Sequence, residues 1–184
     1  MTLLPRCLPA ALTPDDCDRL ITLARAAPER RAGLVGGRSA PELRRAGVVW
    51  LDDLPGAGFA MDSMIRRVAD ANRDGPDLAL TDFGESAQIA RYGAEEQGHF
   101  AWHSDIGTGA WAARRKLTLV VQLSDPGTYQ GGALELQPDS SVTTAPRDRG
   151  AAVLFPSFIL HRVTPVTEGQ RWSLTLWAHG PAFR

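Results

Sequence analysis

Three polar residues stand apart in text that is otherwise apolar and strand-like: His103 and Asp105 in HFAWHSDIG, and His161 in LFPSFILHRVTPV. Ten residues after His161 comes Arg171, in GQRWSLTLWAHG. Side chains alternate across a strand, so residues at i and i+2 leave from one face, and an imidazole and a carboxylate so placed can hold one ion. A second imidazole from a distant strand completes a two-histidine, one-carboxylate triangle. Such a set leaves half of an octahedral metal open to substrate and dioxygen and favours non-haem Fe(II). Arg171 brings a permanent cation with a planar fork of donors, suited to a two-pronged grip on a carboxylate. Iron together with an acid-binding arginine points to an oxo-acid co-substrate.

Each of these residues also has a bland reading. An HxD pair at a strand end often only hydrogen-bonds to itself, and His161, after the run AAVLFPSFIL, could be a satisfied core histidine. Arg171 could sit in a structural salt bridge to an Asp or Glu. The ensemble and its order carry the case. An unpaired histidine behind a buried strand pays a desolvation penalty that a metal would relieve. In RWSLTLWA, alternation puts Arg171, Ser173, Thr175 and Trp177 on one face, and Trp172, Leu174, Leu176 and Ala178 on the other. In an antiparallel barrel a polar inward face lines a cavity, and an arginine there needs an anion. Ser173 can add a hydroxyl donor to the same carboxylate. His99 and His179 read as surface or structural residues, and Arg162 as pointing away from His161.

The elements that must position these groups are legible in outline. Thr13 followed by Pro14 and Asp15-Asp16 reads as the N-cap, first-turn proline and dipole-matched acids of a helix running to about Ala27. Leu20, Ile21, Leu23 and Ala24 give it an apolar face. A second amphipathic helix spans Gly58 to Asn72, with Phe59, Met61, Met64, Ile65 and Val68 alternating with charged residues. Between them, PERRAGLVGGRSAPELRR reads as a loop or lid ahead of the strand-like AGVVWL. From Ser86 onward come eight strand-like runs with close turn signals, the pattern of an antiparallel sandwich or barrel. The expectation is an α+β, mainly β chain in one domain, with a helical part over about 1–85 and the barrel over about 86–184.

Length and composition narrow the function classes. A chain of 184 residues can bury a core without disulfide staples. With 20 basic and 21 acidic residues it lacks the electrostatic footprint of a nucleic-acid binder. Cys7 and Cys17 form neither a metal-type pair nor a disulfide framework. The opening MTLLPRCLPAALTPDD is broken by Pro5, Arg6 and Pro9, too interrupted for a signal segment or membrane span, so a soluble, cytoplasmic protein is expected.

The chain resembles the Fe(II)- and 2-oxoglutarate-dependent oxygenases of the prolyl-4-hydroxylase-like group, small bacterial and phage members included. The densest matching text is IARYGAEEQGHFAWHSD, KLTLVVQLSDPGTYQGGALEL, LFPSFILHRVTPVTEGQR and SLTLWAHGP, within a stretch from about RRAGVVWLDD to the C-terminus. The resemblance implies a double-stranded β-helix, a cupin-like jelly-roll buttressed by the N-terminal helices. It implies Fe(II) on His103, Asp105 and His161, and Arg171 paired with the distal carboxylate of 2-oxoglutarate, assisted by Ser173 and Tyr92. It further implies oxidative decarboxylation to succinate and CO2 coupled to hydroxylation of a C–H bond, with dioxygen consumed and ascorbate as a possible reductant. Halogenating members lack the carboxylate that Asp105 supplies, which disfavours halogenation. Prolyl hydroxylases proper commonly carry lysine where this chain has Arg171, so the likeness to them is one of fold and cofactor.

The leading expectation is hydroxylation of a small molecule, an amino-acid derivative or a peptide. Peptidyl-proline hydroxylation of a protein is an alternative. A zinc hydrolase is another, although no HExxH helix is present and Arg171 would lack a role. A third is a non-enzymatic jelly-roll binding module. Gln88, Trp102 and Trp177 are candidate substrate contacts, with Trp111 also near the metal strands, although large strand aromatics usually serve packing. Neither nucleic acid nor membrane is expected as a partner, and the oligomeric state stays open.

Overall fold

The structure is a computed structural model that describes residues 3–31 and 40–183. In chain order come β1 (Arg6–Leu8), α1 (Pro14–Ala26), β2 (Arg30–Arg31), β3 (Arg44–Arg45), β4 (Gly47–Trp50) and α2 (Gly58–Arg73). There follow β5 (Gln88–Gly93), β6 (His99–His103), β7 (Arg115–Gln122), β8 (Tyr129–Gly131), β9 (Leu134–Gln137) and β10 (Thr143–Thr144). The chain ends on β11 (Ala152–Pro156), β12 (Leu160–Val163) and the long β13 (Val166–His179).

The start of α1 and the packing of both helices follow from their residues. Thr13 Oγ1 accepts from the Asp16 N–H at 3.1 Å and the Asp16 carboxylate accepts from the Thr13 N–H at 3.2 Å, a closed capping box ahead of Pro14. Cys17, Leu20 and Ala24 form the buried stripe of α1, and Ala60, Met64, Val68 and Ala71 that of α2. Leu20 and Met64 are fully buried, each worth about 1.5–3 kcal/mol by area removed from water. Burial pushes the Cys17 thiol up to about 11, so it behaves as a small hydrophobe.

The strands form two sheets. Among the described residues the larger runs β1-β11-β7-β13-β5-β4-β2, with β8 on the first part of β13, and the smaller runs β10-β9-β12-β6-β3. Every named pairing is antiparallel. Alternation divides the larger sheet's residues between two cores. Ile89, Leu117, Leu119, Val121, Leu174 and Leu176 face the helices, whereas Ala90, Tyr92, Val120 and Phe155 face Leu134, Leu136 and Val163 of the smaller sheet. The layers are therefore helices, large sheet, small sheet, and the site lies between the sheets.

The N-terminal part is more than a pair of buttressing helices. Its strands β1, β2 and β4 join the larger sheet and β3 the smaller, so both parts of the chain build both sheets. The lid or loop expected over residues 28–45 begins and ends in β2 and β3, and its middle, 32–39, lies outside the described residues. No helix among the described residues is long and apolar enough to cross a membrane.

Candidate metal centre

His103 ends β6 and pairs in register with His161 on β12, which brings their ring centroids to 4.1 Å. Asp105 lies beyond the end of β6, in the turn, where its N–H donates to the Ser157 carbonyl at 2.9 Å. Nε2 of His103 is 3.8 Å from Asp105 Oδ1, and Nε2 of His161 is 3.7 Å from Oδ2. Within 4.8 Å of one another, the three side chains offer one ligand atom each. Their surroundings select those atoms. Nδ1 of His103 meets the Ala101 carbonyl at 2.8 Å and Nδ1 of His161 the Ile159 carbonyl at 2.9 Å. Since a carbonyl only accepts, both Nδ1 atoms carry the hydrogen and both Nε2 lone pairs are free. On Asp105, Oδ2 accepts from Thr118 Oγ1 at 2.7 Å and from Trp177 Nε1 at 3.0 Å, which leaves Oδ1 without a hydrogen bond among the described residues.

Electrostatics suits a divalent ion. Burial, reinforced by the neighbouring His161, lowers the pKa of His103, so its ring stays neutral and able to ligate. Burial pushes the Asp105 carboxyl up, but the two imidazoles and the Trp177 N–H outweigh it and hold the group below the usual carboxylate range. Two imidazole nitrogens and one carboxylate oxygen make a donor set that suits iron and leaves room for further ligands.

The triad shares a cavity of about 340 Å³ with Arg171. Arg171 is 1 % exposed. Its Nη2 donates to Gln122 Oε1 at 2.9 Å, its Nη1 to Ser173 Oγ at 3.4 Å, and its guanidinium carbon lies 5.4 Å from the Tyr92 ring centre. Nε has no partner. Gln122 is held in that orientation because its Nε2 donates to the Pro146 carbonyl at 3.1 Å. No carboxylate forms an ion pair with Arg171 among the described residues, and the residues outside them include no Asp or Glu. The structural salt bridge considered for Arg171 is thus absent. Desolvation pushes its pKa down, as expected for a buried cation with no anion beside it among the described residues. Gly132, at φ 61, lies under this side chain, and an added Cβ would come to 3.0 Å from Arg171 Cδ.

Of the other residues singled out in the sequence, Gln88, Tyr92, Ser173 and Trp177 line the cavity. Trp177 spends its N–H on Asp105, so it positions a carboxylate. Trp102 lies outside the cavity lining: alternation turns it outward between Ala101 and His103, 36 % exposed, with the Arg162 guanidinium 4.8 Å from its ring centre. Trp111 is likewise elsewhere, edge-on to His179. Thr118, Gln122 and Arg44 were not read from the sequence. The first two carried a signal, because KLTLVVQL places polar residues at period two on one face of an apolar strand.

The sequence pattern of the 2OG-Fe(II) oxygenase superfamily matches residues 87–179. The chain belongs to that family. The family's cofactors are Fe(II) and 2-oxoglutarate with dioxygen, and the free Nε2 pair, the single open carboxylate oxygen and the unpaired Arg171 fit such a set. Among curated relatives, a PKHD-type hydroxylase of Shewanella sp. (strain ANA-3) is 38% identical over 81 residues, 42% of this chain and 36% of the relative. Another, from Teredinibacter turnerae, is 42% identical over 64 residues, 35% of this chain and 28% of the relative. The matched stretch therefore spans about a third of those relatives. Among solved structures, a Pseudomonas putida prolyl-4-hydroxylase superposes with TM-score 0.75 at 24% identity, covering 96% of this chain and 92% of that one. A Trichoplax adhaerens prolyl hydroxylase, in complex with a hypoxia inducible factor oxygen degradation domain peptide fragment, gives TM-score 0.79 at 18% identity, covering 97% and 84%. These oxygenase neighbours share the fold, and the two facing sheets are the expected double-stranded β-helix.

Proposed function

We propose that the protein is a 2-oxoglutarate-dependent hydroxylase in which His103 Nε2, Asp105 Oδ1 and His161 Nε2 hold Fe(II), and Arg171 holds the distal carboxylate of 2-oxoglutarate. The observation that carries this reading is Arg171: a guanidinium 1 % exposed, paired only with neutral groups, in the cavity that also holds the triad. When bound, Fe(II) with 2-oxoglutarate and dioxygen supplies the oxidation, in which the co-substrate loses CO2 to become succinate, one oxygen atom enters succinate and the other a substrate C–H bond.

The chain's own residues supply geometry. Thr118 and Trp177 occupy Asp105 Oδ2, so the carboxylate would offer Oδ1 alone to the metal beside the two imidazoles. Ser173 and Tyr92 complete the wall around Arg171, and Gln122 fixes the plane of its guanidinium. Val120, Leu134 and Val163 give the cavity apolar walls beside the triad. A cavity of about 340 Å³ accommodates the co-substrate and a small group beside it, which supports a small molecule, an amino-acid derivative or one residue of a peptide as substrate. Peptides belong in this class because a protein of the same fold holds one. The free thiols of Cys7 and Cys17 support a cytoplasmic setting.

The test is succinate formation with Fe(II), ascorbate, dioxygen and 2-oxoglutarate, alongside the visible charge-transfer band of the anaerobic Fe(II) and 2-oxoglutarate complex. Wild type should show both and His161→Ala neither. A wild-type protein that binds 2-oxoglutarate without the band, or a variant that keeps full turnover, would overturn the assignment.

A further inference from the structure

Arg171 marks one end of the cavity, and a second arginine marks the other. Gln88 pairs with Thr175 of β13 and Trp50 of β4, four register positions along β5 from the Tyr92–Arg171 pair. At the ordinary strand rise that is about 13 Å. Arg44, on β3 of the smaller sheet, reaches across to the larger one, where its Nη2 donates to Gln88 Oε1 at 2.6 Å. Its guanidinium carbon also lies 4.5 Å from the centre of the Phe100 ring, and that ring stacks on His103 at 3.5 Å. A planar cation is thus held beside the metal triad by an amide and an aromatic ring, both neutral.

The charges of the cavity wall single Arg44 out. Four arginines line it, against Asp105 as the one acid among the described lining residues. Arg115 is neutralised by a two-pronged pair with Glu85, at 2.6 and 2.5 Å. Arg30 is solvent-exposed and lies 3.8 Å from Asp53. On the reading of the preceding subsection, Fe(II), the 2-oxoglutarate dianion, Asp105 and Arg171 together sum to zero charge. Arg44 alone is left over: it is partly buried, has no carboxylate in ion-pair range among the described residues, and the undescribed stretch 32–39, AGLVGGRS, contains no acid. Gln88, whose Oε1 is committed to Arg44, has its Nε2 as the remaining polar group, a donor and not an acceptor. A neutral substrate would leave this end of the cavity with donors and a net cation unmatched.

We propose that Arg44, with the Gln88 amide beside it, anchors an oxyanion group of the prime substrate, a carboxylate or a phosphate, and so sets which C–H bond faces the metal. This rests on the hydroxylase reading, so the wild-type charge-transfer band is recorded first. Cell extract is then separated into small-molecule and peptide pools, each pool is split on an anion exchanger, and the fractions are assayed for succinate formation. Stimulation should fall in a retained fraction, and the pool in which it falls tells a free metabolite from an acidic peptide. Loss of stimulation after phosphatase assigns a phosphate, and loss after methyl esterification with phosphatase without effect assigns a carboxylate. With the stimulating fraction, Arg44→Gln should raise the apparent KM by at least about tenfold with a smaller change in kcat, and Arg44→Lys should recover part of it. If Arg44→Gln unfolds, Arg44→Met, which keeps the stem over Phe100, replaces it. Stimulation in the unretained fraction, an unaltered KM in the variant, or no stimulation from any fraction while the band is present overturns the anion site and leaves the hydroxylase standing. An absent band removes both.

Discussion

β13 carries a buried polar side chain towards each end, and the two ends are furnished in opposite ways. At one end His179, fully buried, meets Glu85 Oε2 at 2.8 Å, and Glu85 takes Arg115 in two prongs. Arg115 in turn donates to the Asp105 carbonyl at 3.1 Å and covers the Trp177 ring at 4.1 Å. At the other end Arg171 meets Gln122, Ser173 and Tyr92, all neutral. The same strand thus holds one charge cluster closed within the protein and one left open. A buried charge that the protein balances is scaffolding, here for the turn that presents Asp105. A buried charge left without a counter-ion is costly in the empty fold and repaid only by a ligand.

The sharpest way to break this contrast is Arg171→Gln. Removing the open cation should weaken 2-oxoglutarate about a hundredfold, the loss expected when one partner of a buried charged pair is truncated, with thermal stability unchanged or raised. Titration of the anaerobic Fe(II) complex and a thermal melt decide it, and a variant with wild-type affinity would place the co-substrate elsewhere. The closed cluster should respond in the reverse sense. Glu85→Gln strands Arg115 and should cost about 2 kcal/mol in urea unfolding, because breaking a buried pair leaves an uncompensated charge. A loss within error would show that the cluster is not structural.

The same pair has a pH signature. Burial pushes the Glu85 carboxyl up, but hydrogen bonds from Arg115 and His179 outweigh it and hold the pKa below the usual value. A carboxylate lowered on folding contributes stability that is fully present above its unfolded pKa, about 4.3, and is lost as pH falls through the folded value. The gap in stability between wild type and Glu85→Gln should therefore be widest above about pH 5 and close in acid; a gap that grows on acidification would contradict the sign. The smallest effect belongs to the link between the two ends. Thr118→Val removes one hydrogen bond from Asp105 Oδ2 and should weaken Fe(II) binding about tenfold, read by metal titration, with little change in 2-oxoglutarate affinity once metal is saturating. Equal losses in both would mean that Thr118 shapes the whole cavity and not the carboxylate.

Much of the architecture could be read from local text. The closed capping box at Thr13, the second helix from Gly58 and the two faces of RWSLTLWA are consequences of dihedral preference and period, which act within a few residues. The order His103, Asp105, His161, Arg171 was likewise visible, and the fold brings all four to one cavity. Period two assigns a side chain to a face but does not say which face looks inward on every strand. Trp102 was therefore open to misplacement, and it turned out to lie on the solvent side of β6.

The sequence by itself determined the two helices, the main strands from β4 onward and the residue types able to bind a metal and an acid, because these depend on interactions between near neighbours, whereas the short strands β1, β2 and β3 exist only through their sheet partners. The tertiary structure alone decided which of those groups would be satisfied. Pairing of β13 with β5 and β7 put Gln122 and Tyr92, but no carboxylate, against Arg171, and the meeting of the two sheets put Arg44 on Gln88. Sheet register joins positions far apart in the chain, and whether a buried charge finds a counter-ion depends on that register and not on the residues beside it in sequence.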